Sequence, residues 1–260
     1  MFPRVLAVSV AFGIGAGAAQ APAPAPVDVA KLTISAPQTI RDLDVKGVRG
    51  VPTRLAWSPD DTWLYVRMST FDRWSNETVR HLLVDVPGRQ VQAVPDEPGW
   101  LARAWNIKSA LTSPGVPGWR IVVDSREELV RTTNVPREGN IGMSVADPNT
   151  SLAEVVANAA MANQRTRFET LRLGAVTLDE AVNERVRPGR TFGWAPAPLA
   201  LIAYCTDKGG LALMNHRGEA RQVKGAKRCL LPAWSTKGGR LSWVQQAGSG
   251  SYAIRVVEIK

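Results

Sequence analysis

Residues 55–66, LAWSPDDTWLYV, place an apolar stretch ending in an aromatic before a polar turn and a second apolar run. The same arrangement recurs at 192–204, FGWAPAPLALIAY, and at 232–244, PAWSTKGGRLSWV. In each copy a tryptophan (Trp57, Trp194, Trp234) follows a small residue (Ala56, Gly193, Ala233), and a leucine seven positions later (Leu64, Leu201, Leu241) opens the next run. Short apolar runs bounded by Pro, Gly and Asp read as strands joined by tight turns. Each copy therefore predicts a hairpin with its Trp ring in the core.

A second hairpin follows the first two copies. HLLVDVPGRQVQAV predicts strands at 81–86 and 90–94, and LALMNHRGEARQV predicts strands at 211–214 and 219–223. Two hairpins make a four-stranded antiparallel unit. Trp194 and Trp234 lie 40 residues apart, and a four-stranded unit with that period is the signature of a β-propeller blade. The fold class expected is all-β: a propeller of four-stranded blades, five or six by length, some degenerate. The last unit has one strand too few. Residues 30–35, AKLTIS, are expected to supply it by pairing with 252–259 and to close the ring.

Residues 100–190 carry no clear repeat. WRIVVDS (119–125) and EELVRTT (127–133) read as paired strands, and RFETLRL (167–173) resumes strand character. Between them, Ser151 and Glu154 form a capping-box pattern, and Leu152, Val155, Val156, Ala159 and Ala160 share one helical face. This predicts one helix near 151–163, inside an insertion spanning about 134–166.

The chain opens with Arg4, an apolar stretch from Val5 to Ala18 and the small residues Ala19-Gln20-Ala21. A positive start, a short apolar core and an A-x-A site describe a secretory signal peptide over 1–21; an uncleaved anchor is the alternative. Ala-Pro alternation makes 22–29 a stiff spacer, leaving 30–260 as a single domain. The expected location is periplasmic or secreted. The chain carries 32 Lys and Arg against 23 Asp and Glu. The excess concentrates in 165–228, which holds 12 basic and 6 acidic residues. Such a face suits an anionic partner, including peripheral contact with an anionic membrane, or simply keeps the protein soluble. No aromatic–basic stacking pattern points to nucleic acid.

At LAWSPDDTWLYV and LLPAWSTKGGRLSWV the chain resembles the WD40-like, or PD40, repeat of TolB-type propellers. AWNIKSALTSPGVPGW (104–119) and TFGWAPAPLALIAY (191–204) are similar to stretches of uncharacterised exported members. The resemblance implies a periplasmic propeller that binds other proteins. The chain departs from TolB itself in lacking a recognisable α/β domain ahead of the first blade.

Motifs for chemistry are sparse. His81 and His216 stand in a strand and a turn with no second ligand at metal spacing, so no metal or cofactor is expected. No G-x-S-x-G elbow occurs, and GSGS at 248–251 lacks the Lys and helix of a phosphate loop. Asp60 and Asp61, beside Pro59, read as turn residues rather than paired catalytic carboxylates. Cys205 ends one predicted strand and Cys229 precedes the first strand of the next unit, on the same face of the propeller. In an exported chain they are candidates for a disulfide, with two separate thiols as the alternative. Trp57, Trp194, Trp234 and Trp243 fall at repeat positions and are assigned to blade core. Trp63, Trp74, Trp100, Trp105 and Trp119 are less constrained; Trp100 with Trp119 is a candidate contact surface. The reading is a monomeric, non-catalytic scaffold for an envelope protein or peptide. The alternative is a module binding cell-wall glycan through exposed Trp and the basic face.

Overall fold

The computed structural model describes residues 24–43, 50–71, 77–101, 111–129, 165–182, 191–248 and 250–260. All regular structure among them is β, arranged as a four-bladed antiparallel propeller. Strand β1 (Gln38–Asp42) precedes the blades. The first blade holds β2 (Val51–Trp57), β3 (Trp63–Phe71), β4 (Glu77–Asp85) and β5 (Val91–Val94). The second holds β6 (Val122–Leu129), β7 (Arg165–Leu173) and β8 (Val176–Val182). The third holds β9 (Phe192–Trp194), β10 (Leu201–Cys205), β11 (Leu211–Asn215) and β12 (Ala220–Gln222). The fourth holds β13 (Cys229–Trp234), β14 (Arg240–Gly248) and β15 (Ser251–Glu258), with β1 as its outermost strand.

The early segment does complete the last blade, but further along the chain than AKLTIS. β1 pairs antiparallel with β15, from Gln38 opposite Val256 to Asp42 opposite Ala253. Residues 33–35 continue the seam against 258–260 through Thr33 N–H to Lys260 O (2.7 Å), its return bond, and Ser35 N–H to Glu258 O. Pro37 ends the first contact and Gln38 opens the second, as Pro cannot donate to a ladder. Ahead of this seam, the Arg221 guanidinium donates to the carbonyls of Val29, Ala30 and Leu32, and Asn215 donates to Val27 O. Val29 is buried there.

The described residues form four sheets rather than the five or six that length allowed. β6 and β7 pair directly from Val122–Arg172 to Leu129–Arg165, although 130–164 lie between them in sequence. WRIVVDS and EELVRTT are not a strand pair: residues 122–129 run as one strand, with no Gly, Pro or Asn at the join to reverse the chain. The helix expected near 151–163, nearly all of the 134–166 insertion and the signal peptide at 1–21 lie outside the described residues.

A fourth copy of the turn is present in the second blade, where the sequence alone did not expose it. Ser113 N–H donates to Trp119 O, Thr112 bridges Arg120, and Ile121 N–H donates to Leu111 O. Ser58 N–H to Trp63 O and Ser235 N–H to Arg240 O are the equivalent bonds. The copy was hidden because Thr112 stands where the others have Trp; its span equals that of the third-blade turn, where Ala195 N–H donates to Leu201 O.

Three apolar clusters join the blades in series. Leu64, Val66, Met68 and Val84 of the first blade pack on Val244, Ile254 and Val256 of the fourth. Leu241, Trp243 and Val257 of the fourth pack on Leu201, Ala203, Leu211 and Leu213 of the third. Ile202, Tyr204, Ala212 and Met214 of the third pack on Leu171, Leu173 and Leu178 of the second. Both faces of the third blade are therefore covered, which is why β10 and β11 are buried at every position and apolar throughout except for Asn215 at the end of β11. Among the described residues no apolar cluster joins the first and second blades.

Candidate functional site

The first blade differs from the third in its pattern. Along β3, Leu64, Val66 and Met68 point to the fourth blade, while Tyr65, Arg67 and Ser69 alternate to the opposite face. That face is polar and still largely buried: Tyr65 and Ser69 are fully shielded and Arg54 is 4 % exposed. A polar face of this kind persists only where its groups satisfy one another.

A β-bulge assembles it. The β2–β3 register slips between Pro52 and Arg54, leaving Thr53 as the extra residue. A bulge re-aims side chains, and here two consecutive residues serve the same face. Thr53 Oγ1 lies 2.9 Å from Ser69 Oγ, while Arg54 reaches Glu97 Oε2 at 3.3 Å. Glu97 comes from the connection leaving β5, which a turn closed by Leu101 N–H to Pro98 O folds back. Arg67 holds Glu77 with two nitrogens, at 2.9 and 3.0 Å.

Tyr65 Oη lies 2.7 Å from His81 Nδ1 and 3.2 Å from Glu97 Oε1. A carboxylate paired with a guanidinium only accepts, so the single phenol proton goes to Glu97. The proton between phenol and imidazole then belongs to His81 Nδ1, which donates to Tyr65 Oη. These positions follow from the donor and acceptor inventory. Burial, then the neighbouring Glu97 charge, pushes the Tyr65 phenol well above its usual range, so it stays protonated. Burial pulls the Arg54 guanidinium downward, and Glu97 opposes that. Burial alone would raise Glu77, but hydrogen bonds from Ser69 and Arg67 outweigh it and hold the carboxyl low.

The two guanidiniums sit inward and the acceptors outward. The Arg54 and Arg67 side chains are 5 % and 24 % exposed, and their partners Glu97 and Glu77 are 43 % and 32 % exposed. The more exposed member of each ion pair is its carboxylate. Sequence spacing did not single out Arg54, Tyr65, Arg67, His81 or Glu97. The usable signal was the strict alternation of WLYVRMS beside the unbroken ALIAYC and LALMN.

The residues singled out from sequence lie elsewhere. Asp60 bonds within its own turn, to Ser58 Oγ, Thr62 N–H and Thr62 Oγ1. Those bonds bring its carboxyl down to about 2. Asp61 is buried and accepts from the backbone N–H groups of Thr236 and Lys237 in the fourth blade. Both are structural. Trp57 and Trp234 are blade core, as is Trp243; Trp194 is half-buried. Trp100 is half-buried three residues after Glu97. Trp119 packs edge-on against Trp194 at 4.8 Å and lies 6.1 Å from His216, at the seam of the second and third blades. Trp100 takes no part in that group. Cys205 and Cys229 are joined as a disulfide with Cα atoms 5.4 Å apart, linking the third and fourth blades. Exposed Lys208, Lys227 and Arg228 lie beside it in sequence, and Cys229 N–H donates to Gly209 O. No cluster of three or more His, Cys, Asp or Glu suited to a metal occurs among the described residues.

The fold is a β-propeller with a largely buried polar network on one face of its first blade. No family model matches the chain, and no curated protein matches it. Among solved structures, it is similar to an oligogalacturonate lyase from Vibrio parahaemolyticus at 10 % identity, covering 82 % of this chain and 67 % of that one with a TM-score of 0.23.

Proposed function

We propose that this protein is an exported propeller of the TolB or PD40 kind and acts as a non-catalytic scaffold for an envelope protein or peptide. The observation that carries the reading is the polar face of the first blade, turned away from the seam that its apolar face fills. A blade face that served packing alone would be apolar, like both faces of the third blade. The disulfide supports residence in an oxidising compartment. The test is a photo-crosslinking residue at Gln92, an exposed position two pairings across the sheet from Tyr65 on the same face. In native envelopes it should trap a discrete protein adduct. No adduct would overturn the scaffold reading.

One observation favours a second reading. Trp119, Trp194 and His216 form a partly exposed aromatic group of the sort that stacks on sugar rings. Binding to purified peptidoglycan, lost in Trp119→Ala and retained in Trp100→Ala, would favour a cell-wall glycan module. The exposed Lys208, Lys227 and Arg228 suit peripheral contact with an anionic membrane, which binding to anionic vesicles would test.

A further inference from the structure

We infer that the fourth blade binds a small inorganic anion, of the size of chloride, on the face it turns to the third blade. This goes beyond the scaffold reading and does not depend on it. Three buried side-chain polar atoms without a hydrogen-bond partner share that face: Trp243 Nε1, Arg255 Nε and Gln245 Oε1. They are neighbours by register. Trp243 of β14 stands directly opposite Arg255 of β15, and Gln245 is the next residue of β14 on the same side. Ile254 and Val256 pack toward the first blade, so Arg255 between them faces the third, as Trp243 and Val257 do. Directly opposed side chains start about 4.5–5.5 Å apart at Cβ, so one acceptor can span the indole and the guanidinium.

Both unpartnered nitrogens are donors, and one belongs to a permanent cation. Arg255 donates to Thr39 Oγ1 across the pairing with β1, and among the described residues no carboxylate pairs with it. Trp57 and Trp234 each donate their indole N–H to a carbonyl of the neighbouring blade; Trp243, 0 % exposed, has no such acceptor. A buried N–H without an acceptor bears the full desolvation cost of the group, and a guanidinium without a counter-charge adds to it. An anion answers both at once, accepting from the indole and the guanidinium and neutralising Arg255. Its size follows from the packing. Trp243 lies among Leu201, Leu211 and Leu213, all fully shielded, which leaves no path for an organic body. Arg255 is only half-buried and gives a monatomic ion its way in from solvent. A half-turn of the half-buried Gln245 amide exchanges its inward oxygen for an NH2 donor, so this residue can serve the same ion.

The probe is chloride. Sodium chloride replaces sodium gluconate at constant ionic strength while the indole N–H resonances of the full chain are followed by NMR. The Trp243 resonance should move downfield and saturate, whereas those of Trp57 and Trp234, already bonded to carbonyls, should stay in place. The thermal unfolding midpoint should rise over the same chloride range. Arg255→Gln should weaken the apparent chloride affinity by about tenfold or more. Lys208→Gln, which removes an exposed cation instead, should leave it within about twofold. An unmoved Trp243 resonance, a shift that grows without saturating, or equal weakening by Lys208→Gln each overturns the proposal. The titration of the parent chain needs no variant, so misfolding of Arg255→Gln does not blunt it.

Discussion

Trp57 donates its indole N–H to the carbonyl of Ala233, 3.1 Å away and 176 residues along the chain. Trp234 repeats the bond to Gly193 O at 3.1 Å. In both, the Trp closing one inner strand reaches the residue just before the corresponding Trp of the neighbouring blade. The bond ties fourth blade to first and third to fourth. Its geometry follows from the small residue at Ala233 and Gly193, which leaves room for an indole edge over the backbone. Trp57→Phe keeps most of the ring volume and removes the donor. Ala233 O keeps Ser242 Oγ as a donor, so the loss is that of one hydrogen bond, about 0.5–1.5 kcal/mol, and Trp234→Phe should cost about the same. Chemical denaturation with an unchanged slope would show it; no change in midpoint for either variant would mean the bonds are dispensable.

Asp61 carries a second latch between the same blades. It adopts φ 61° and accepts from Thr236 and Lys237 N–H, while Arg240 donates to its carbonyl and lies 4.6 Å from the Trp57 ring centre. Gly238 holds the equivalent turn position in the fourth blade, at φ 75°. The conformation favours Gly, yet the two inter-blade bonds require a side chain that accepts. Asn tolerates this region and can accept one bond; Ala does neither. The expected order of stability is Asp61, then Asn, then Gly, then Ala, with Ala lower than Asp by about 2–4 kcal/mol. A glycine variant as stable as the parent would show that the inter-blade bonds contribute nothing.

The turn just before it sets an acid dependence. Ser58 and Thr62 bonds lower the Asp60 carboxyl from 3.8 to about 2. A depressed folded value means that the native state holds the ionised form more tightly than the unfolded chain does. The contribution is complete above about pH 4 and is lost as pH falls toward 2. Asp60→Asn should flatten the stability profile in that window and leave it unchanged near neutrality in shape. A parallel profile for variant and parent would exclude Asp60 as a source of the acid sensitivity.

These latches show what could be read from sequence and what could not. The hairpins around Trp57, Trp194 and Trp234, the seam closed by the early segment and the pairing of Cys205 with Cys229 all rest on local pattern and spacing, and each is present. The second blade was obscured because Thr112 replaces the marker Trp. The candidate site was obscured for another reason. Arg54, Tyr65, His81 and Glu97 come from three strands and a connection, brought together by a bulge and a Pro-Gly turn. No spacing in a single sequence encodes a bulge, and the alternation along β3 says only that one face is polar.

The disulfide makes a separate prediction, because it lies where the third and fourth blades meet. Cys205 pairs with Leu211 at the end of β10 and Cys229 opens β13, so the bond spans two sheets with a sequence separation of 24. A crosslink of that span restricts the unfolded chain by about 3 kcal/mol. Reduction should lower the unfolding midpoint by a corresponding amount, and the double variant Cys205→Ala with Cys229→Ala should match the reduced protein after a small packing loss. An unaltered midpoint on full reduction would place the stability of this seam in the Leu201–Trp243 core alone.

Gly193 is required by closeness rather than by conformation. A Cβ built there would meet Pro232 O at 2.5 Å, a distance at which backbone must move. The equivalent positions Ala56 and Ala233 carry a methyl group. Pro232 stands in the bulged part of β13, where Leu231 has φ 52°, and neither residue can give way without disturbing the ladder. Gly193→Ala should therefore separate β9 from β13, stretch the Trp234 indole bond to Gly193 O and cost about 1–3 kcal/mol. Tryptophan fluorescence should report the change as a red shift, since Trp234 would gain water at that edge. Ala56→Gly, by contrast, removes a methyl group without forcing backbone apart, and should cost no more than about 1 kcal/mol. If Gly193→Ala were tolerated as well as Ala56→Gly, the close approach of the two inner strands would not be a constraint on the ring.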